Sequence, residues 1–260
     1  MDCVYRPMSS LFISHGAPDL PIRTGATQAF LQQLSQTLPT PKAILVISAH
    51  WSTAQPTVSK ALQPKTLYDF GGFPAELYQL RYPVPGAPEL ADRVAALLTA
   101  DGFSVQTHPN RGFDHGTWTP LILAYPEATI PVTVLSVQPR CSPEHHFRIG
   151  QTLAPLRQAG VLILGSGAAT HNMGAFGVGY TASPPPQAVV FDDWLAEAIR
   201  QHDVETLLAY RQLAPYGRWN HPTEEHLLPL FVALGAGGPG RQLHRGFTYG
   251  AFSMAAYAFD

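Results

Sequence analysis

Four short apolar runs limit what this chain can become: Ser10 to Ser14, Ala43 to Ser48, Pro131 to Val137 and Val161 to Leu164. Each is rich in Val, Ile or Leu and short enough to be a buried strand of a sheet. Helical patterns lie between them. Leu90, Val94, Leu97 and Leu98 recur on one face behind Pro88 and Glu89, and Val189 to Arg200 and Val204 to Tyr210 follow the same spacing. Strands alternating with helices predict an α/β fold with a central, mostly parallel (mixed) sheet and helices on both faces. A further helix is expected to start at Thr223, with the hydroxyl as its cap, and to run on through Leu227 to Leu234. A closing strand is expected from Phe247 to Met254.

With 260 residues and 45% hydrophobic side chains, the chain can bury one large core, so residues 1–260 are expected to form a single catalytic domain. Its 25 prolines fall mostly between the apolar runs as rigid loop residues, and Ser183-Pro184-Pro185-Pro186 is too short to link two domains. Charged residues make up only 13%, with 16 basic against 18 acidic, which leaves no field to capture nucleic acid or anionic lipid. No stretch approaches the roughly 20 apolar residues that cross a bilayer, and Met1 to Pro7 lacks the apolar core of a signal peptide. The two cysteines, Cys3 and Cys141, form no CxxC pair, which fits a reducing, cytoplasmic setting.

Histidines stand just past the strands. Ser10 to Ser14 runs into His15-Gly16, Ile44 to Ala49 runs into His50-Trp51, and Val161 to Leu164 leads through Gly165-Ser166-Gly167 toward His171-Asn172. Ligands of open α/β sheets bind outside the carboxyl ends of the strands, so these three imidazoles are expected to share one crevice. Imidazole is a preferred ligand of Zn and Fe, and strand ends hold ligands rigidly. A fourth candidate, His226 in His221-Pro222-Thr223-Glu224-Glu225-His226, is placed in the first turn of the predicted helix, where the dipole favours a neutral ring. Glu224 and Glu225 share that turn, so spacing alone leaves the third ligand open between an imidazole and a carboxylate. His115, in a glycine-flanked loop before a helix, reads as a reactant rather than a ligand. His108, His145, His146, His202 and His244 read as surface residues. Tyr68, Phe70, Phe73, Trp118 and Trp219 are candidates for a planar-substrate pocket, with core packing as the ordinary alternative. Arg81, Arg111 and Arg140 are candidate partners for a substrate carboxylate, with a surface ion pair as the ordinary role of each.

Six fragments in order resemble the class III extradiol ring-cleavage dioxygenases, in the branch typified by 4,5-DOPA extradiol dioxygenase. They are Phe12-Ile13-Ser14-His15-Gly16, Val46-Ile47-Ser48-Ala49-His50-Trp51, Tyr68-Asp69-Phe70-Gly71-Gly72-Phe73-Pro74, Asp114-His115-Gly116-Thr117-Trp118, Gly165-Ser166-Gly167 with His171-Asn172, and His221-Pro222-Thr223 with Glu225-His226. The resemblance implies a non-haem Fe(II) enzyme on an α/β fold of the phosphorylase/hydrolase-like kind, with the whole chain corresponding to the catalytic polypeptide of that class. Such an enzyme inserts both atoms of O2 into a catechol-type ring, DOPA-like or otherwise substituted, to give a muconic semialdehyde. By the same resemblance His15, His50 and His226 match metal-binding positions, and His171 matches a histidine that contacts or adjoins the metal and acts in acid/base chemistry. His171 is expected to take a phenolic proton with a pKa near the working pH, and His115 to stabilise charge developing on oxygen. Zinc binds an imidazole site more tightly than Fe(II), so zinc can occupy the purified protein without being the working metal. The implied partners are a small catechol and O2, with no nucleic acid and no membrane; a homo-oligomer is compatible with the sequence.

Two other readings use the same residues. A zinc hydrolase would activate water at the histidines with Glu224 or Glu225 as base, and would work without O2. A non-catalytic metal-binding relative would keep the histidines for scaffold or signalling roles, against which the retention of both His115 and His171 argues.

Overall fold

The computed structural model describes residues 7–177 and 179–260, so Cys3 and most of the Met1 to Pro7 segment lie outside it. Its strands are β1 (Ser10–Ser14), β2 (Ala43–Ser52), β3 (Thr57–Ser59), β4 (Gln106–His108), β5 (Val132–Val137), β6 (Val161–Gly167), β7 (Gly240–His244), β8 (Phe247–Thr248), β9 (Phe252–Ser253) and β10 (Ala256–Phe259). Its helices are α1 (Ala26–Thr37), α2 (Pro88–Ala100), α3 (His115–Ala124), α4 (Pro143–Leu153), α5 (Pro155–Gln158), α6 (Pro186–Arg200), α7 (Val204–Leu208), α8 (Tyr210–Leu213), α9 (Gly217–Asn220) and α10 (Leu228–Ala236).

One sheet runs in the order β4-β3-β5-β2-β6-β1-β10-β7. Its centre, β5-β2-β6-β1, is parallel, while β10 joins β1 antiparallel and β3 joins β5 antiparallel, so the sheet is mixed. All four expected strands are present. Alternate side chains of each divide between two cores: Leu45, Ile47, Leu135 and Ile163 face one, and Ile44, Val46, Val134 and Leu162 face the other. The first core is closed by residues of α2, α4, α6 and α10, the second by residues of α1 and α3. Both faces are therefore dry, which is why these strands read as unbroken apolar runs. Each fully buried Leu, Ile or Phe contributes about 1.5–3 kcal/mol relative to exposure. All residues of α10 are buried, as expected for a helix that is apolar on every side.

The helix expected from Thr223 starts instead at Leu228. Pro229 in the first turn suits a helix start, since its missing N–H has no acceptor to satisfy there. Upstream, the Thr223 hydroxyl donates to Glu225 Oε1 at 2.9 Å rather than capping backbone. The Val204 to Tyr210 helix is divided into α7 and α8. The closing strand expected over Phe247 to Met254 is a two-strand hairpin, β8 with β9, turning through Tyr249 (φ 49°) and Gly250 (φ 72°), and the sheet is completed by β10.

His146, expected at the surface, is fully buried in α4. Its Nε2 accepts from the Gln138 N–H at 3.1 Å and its Nδ1 lies 3.0 Å from the Ser142 carbonyl, so the proton sits on Nδ1 and both ring nitrogens are satisfied. Burial pushes its pKa down to about 4, against the Ser142 bond that pulls it up. The unfolded ring protonates near pH 6.5. Between pH 6.5 and 4 the unfolded chain thus binds a proton that the folded chain refuses, so stability falls as pH falls through that window, by up to about 3 kcal/mol for this group. Urea unfolding of metal-free protein at a series of pH values should show this acid limb. The variant His146→Gln should be less stable at pH 8 and flatter between pH 6.5 and 4; an unchanged slope would remove His146 from the effect.

Candidate functional site

The parallel strands end along one edge of the sheet, and five segments bring imidazoles to it. His15 follows β1, its N–H donating to the Gly167 carbonyl at 3.0 Å, which carries the β1–β6 ladder one step further. His50 lies within β2, at an irregularity where the pairing with β5 slips between Ser48 and Ser52. Such a bulge re-aims side chains that a regular pleat would alternate. His226 sits on the turn before α10, two residues ahead of the helix rather than in its first turn. It is held by the Ala168 N–H donating to the His226 carbonyl at 2.9 Å. This approach needs Gly167, because a Cβ there would collide with that carbonyl.

His115 is the first residue of α3, and Asp114 is the cap, accepting from the Thr117 N–H at 3.1 Å. Ser48 donates to the same Asp114 oxygen at 2.6 Å, which ties the helix start to β2. The helix N-terminus expected at His226 is thus at His115. His171 follows β6 at a distance of four residues, on a loop pinned by its own N–H donating to the Asn220 carbonyl at 2.9 Å. Its ring stacks on His226 with centroids 3.4 Å apart and planes 9° apart.

The nitrogens converge. His15 Nε2 and His50 Nε2 are 3.0 Å apart, and His50 Nε2 and His226 Nε2 are 3.3 Å apart. The opposite ends of the rings fix the protons. Ser166 Oγ donates its hydrogen to the Gly116 carbonyl, so it accepts from His15 Nδ1 at 3.0 Å. Glu225, a carboxylate acceptor, lies 2.9 Å from His226 Nδ1. Both rings therefore carry Nδ1–H and present an unshared pair at Nε2. A proton on His50 Nε2 could bridge to one of them but not to both. A divalent ion with affinity for imidazole would accept every pair at once, and the residues present fit such an ion.

All three rings are held neutral. Burial pushes the pKa of His15 and His226 well below 6.5, with the neighbouring imidazoles adding to it. His50 is pushed down to about 3, by burial and by His115, with Asp69 opposing. His171 is lowered to about 4 by burial, below the near-neutral value expected, with Glu225 opposing the shift. Ligating atoms of His15, His50 and His115 lie within 4.8 Å of one another, as do those of His171, Glu225 and His226. The five histidines singled out in the sequence thus meet in one crevice of about 380 Å³.

Several backing residues are not evident in the sequence. Asp69 accepts the His115 backbone N–H at 2.9 Å; the same oxygen is 3.1 Å from His115 Nδ1, out of hydrogen-bond alignment, and its other oxygen is 3.6 Å from His50 Nδ1. Burial raises the Asp69 pKa, but His115 and His50 outweigh it and hold the carboxyl at about 2. His221 is buried with Nε2 2.9 Å from the Ala169 carbonyl, supporting the loop that carries His171. Glu224, an alternative ligand in the sequence, is turned toward Tyr210 (3.2 Å) and Arg211 (3.4 Å). Phe70 and Phe73 line the crevice, joined by Met173, Phe176 and Phe252. Tyr68 and Trp118 pack behind them, and Trp219 does not line it.

Residues 11–260 match the family described as the catalytic LigB subunit of aromatic ring-opening dioxygenase. The chain is 44% identical over 263 residues to a 4,5-DOPA dioxygenase extradiol of Beta vulgaris, covering 96% of each chain. It is 37% identical over 235 residues to a protein of the same name from Escherichia coli (strain K12), covering 88% of this chain and 85% of that one. A crystal structure of an uncharacterised protein from Escherichia coli K12 superposes with a TM-score of 0.82 at 33% identity, covering 97% of this chain and all of the other.

Removing an acceptor behind a ligating ring typically weakens metal binding about 10- to 100-fold. Ser166→Ala takes away the acceptor of His15 Nδ1 while leaving every imidazole in place. Equilibrium dialysis with metal analysis should give one divalent ion per chain for the parent and a weakening of that order for the variant. Unchanged affinity would mean that Ser166 does not orient His15.

Proposed function

The chain belongs to the LigB family of aromatic ring-opening dioxygenases and is an extradiol dioxygenase, and from that premise we propose that it cleaves a catechol at an Fe(II) centre held by His15, His50 and His226. Dioxygenases of this family are metal-dependent and act on a small aromatic substrate with O2. The reading is carried by one observation: Nε2 atoms of three neutral, buried histidines meet at 3.0 and 3.3 Å, with the Nδ1 atoms of the outer two turned to protein acceptors. When bound there, Fe(II) would supply an electron path between the aromatic diol and O2 together with Lewis acidity toward the diol oxygens, whereas d10 zinc would supply only the latter.

The protein's own groups do the rest. His171 is neutral and half-buried, and is assigned to receive a hydroxyl proton from the substrate. Glu225, whose charge raises the His171 pKa, steadies the ring once it is protonated. His115 lines the crevice with the Asp69 carboxylate 3.1 Å from its Nδ1, and its ring is assigned to stabilise charge growing on oxygen. Phe70 and Phe252 give the crevice an apolar lining, and polar contacts beside such surface are stronger than in bulk water. The placement of Glu224 against Tyr210 and Arg211 gives the hydrolase reading no free base at that residue.

The test is an anaerobic Fe(II) reconstitution followed by exposure to a panel of catechols. Fe(II)-loaded protein should take up about one O2 per catechol while a yellow ring-opened product accumulates, and the zinc form should be inactive. Equal turnover by the zinc form without O2 would favour a hydrolase. His226→Ala should lose its metal on dialysis, whereas Glu225→Ala, which removes only the acceptor behind that ring, should weaken binding about 10- to 100-fold; greater loss in Glu225→Ala than in His226→Ala would restore a two-histidine, one-carboxylate triad. His115→Ala should retain metal and catechol affinity while turnover falls roughly 10²- to 10⁴-fold. Near-normal turnover would take His115 out of the mechanism.

A further inference from the structure

What surrounds the histidines in the crevice is apolar. Phe70, Phe73, Met173, Phe176 and Phe252 line it, and among the described residues no Asp, Glu, Lys or Arg lines the cavity. The apolar character continues to the rim, where Met173 is 59% exposed and Phe176 42% exposed, two of the few large apolar side chains that the surface displays. Exposed apolar residues grouped at the mouth of a cavity mark a binding surface more often than chance placement does.

The charges nearest the crevice are already engaged. Asp69 faces His115 and His50, and Glu225 faces His226 and the Thr223 hydroxyl. Arg111 pairs with buried Asp114 at 2.9 Å and donates to the His50 carbonyl at 3.3 Å. Arg23 pairs with buried Asp19 at 2.7 Å, beside the Tyr249 hydroxyl. Arg81 and Arg140, the other cations that could meet a substrate carboxylate, line separate hollows.

We infer that this pocket selects catechols bearing an uncharged, apolar substituent, alkyl or aryl, over catechols bearing a carboxylate or an amino-acid arm. The inference rests on the catechol dioxygenase reading and narrows it. A carboxylate entering this crevice would shed water and find no Lys or Arg in the lining, and an ammonium would meet only carboxylates that already face histidines. An alkyl or aryl arm in the same place would remove its own surface and that of the aromatic rings from water, and the flexible Met173 side chain can close against it. The DOPA in the relatives' names carries both an ammonium and a carboxylate, so this chain is predicted to differ from them in the arm it accepts.

Calorimetric titration of the zinc-loaded protein measures binding without turnover. With 4-tert-butylcatechol, protocatechuate and DOPA as probes, the alkyl catechol should bind at least about tenfold more tightly than either charged one. Equal or tighter binding of protocatechuate or DOPA would overturn the inference. Introducing cations at the exposed rim, Met173→Arg with Phe176→Arg, should move the ratio of the two affinities about tenfold toward protocatechuate. An unmoved ratio would also overturn it. Oxygen uptake by the Fe(II) form separates the two levels. If the charged catechols are cleaved best, only the preference for an apolar arm is lost. If no probe binds the zinc form and none is consumed with O2 by the Fe(II) form, the catechol reading fails and the inference fails with it.

Discussion

Two nitrogen–nitrogen contacts, 3.0 Å between His15 and His50 and 3.3 Å between His50 and His226, set the terms for everything around them. Imidazoles can be brought this close only if they are neutral, since two cations at such a distance in a dry site would repel strongly. Burial supplies that condition for all three rings. Neutral rings still have a choice of tautomer, and a ring with its hydrogen on the wrong nitrogen cannot ligate. Ser166 behind His15 and Glu225 behind His226 remove the choice by accepting at Nδ1.

The fold meets these demands with backbone more than with side chains. The β1–β6 ladder continues through the His15 N–H, and the turn carrying His226 is held to β6 by another main-chain bond, at a place where Gly167 lets the two backbones touch. The Asp114 cap fixes where α3 begins, and the same carboxylate is tied to Ser48 on β2 and to Arg111, so His115 and His50 are positioned by one buried group. Asp69 links the same two histidines from the outside. Disturbing either aspartate would therefore reach both a ring read as a ligand and a ring read as a reactant.

Much of this was legible in the chain. The parallel strands show as apolar runs because both faces of the sheet are covered, and His15, His50 and His171 stand out because a strand end is where a crevice must open. His226 is recognisable from its motif, but burial and the neighbouring imidazoles hold it neutral, and Glu225 fixes its tautomer, rather than the helix that starts beyond it. His145 and His146 look alike in sequence, yet the first is half-exposed and the second fully buried, since only one of two neighbours on a helix can face the sheet. Ser166 and Asp69 lie within the fragments that carry the resemblance, but the rings they stand behind do not show there. Each acts on a residue 151 or 46 positions away, and nothing local marks such a partnership. Phe176 and Phe252, which line the crevice, come from loops and a short hairpin without periodicity, whereas Trp219, an apparent candidate, does not line it.

The sequence by itself determined the class of fold, the strands that form the centre of the sheet, and the identity of the histidines that meet at its edge, because each of these follows from local pattern: apolar runs, helical spacing and residues placed at strand ends. Only the tertiary structure decided which nitrogen of each ring faces its neighbours, which carboxylates stand behind them and which side chains bound the substrate's space. Those outcomes depend on groups that are far apart along the chain and become neighbours only when the sheet closes, where loss of water makes each hydrogen bond and each missing charge count.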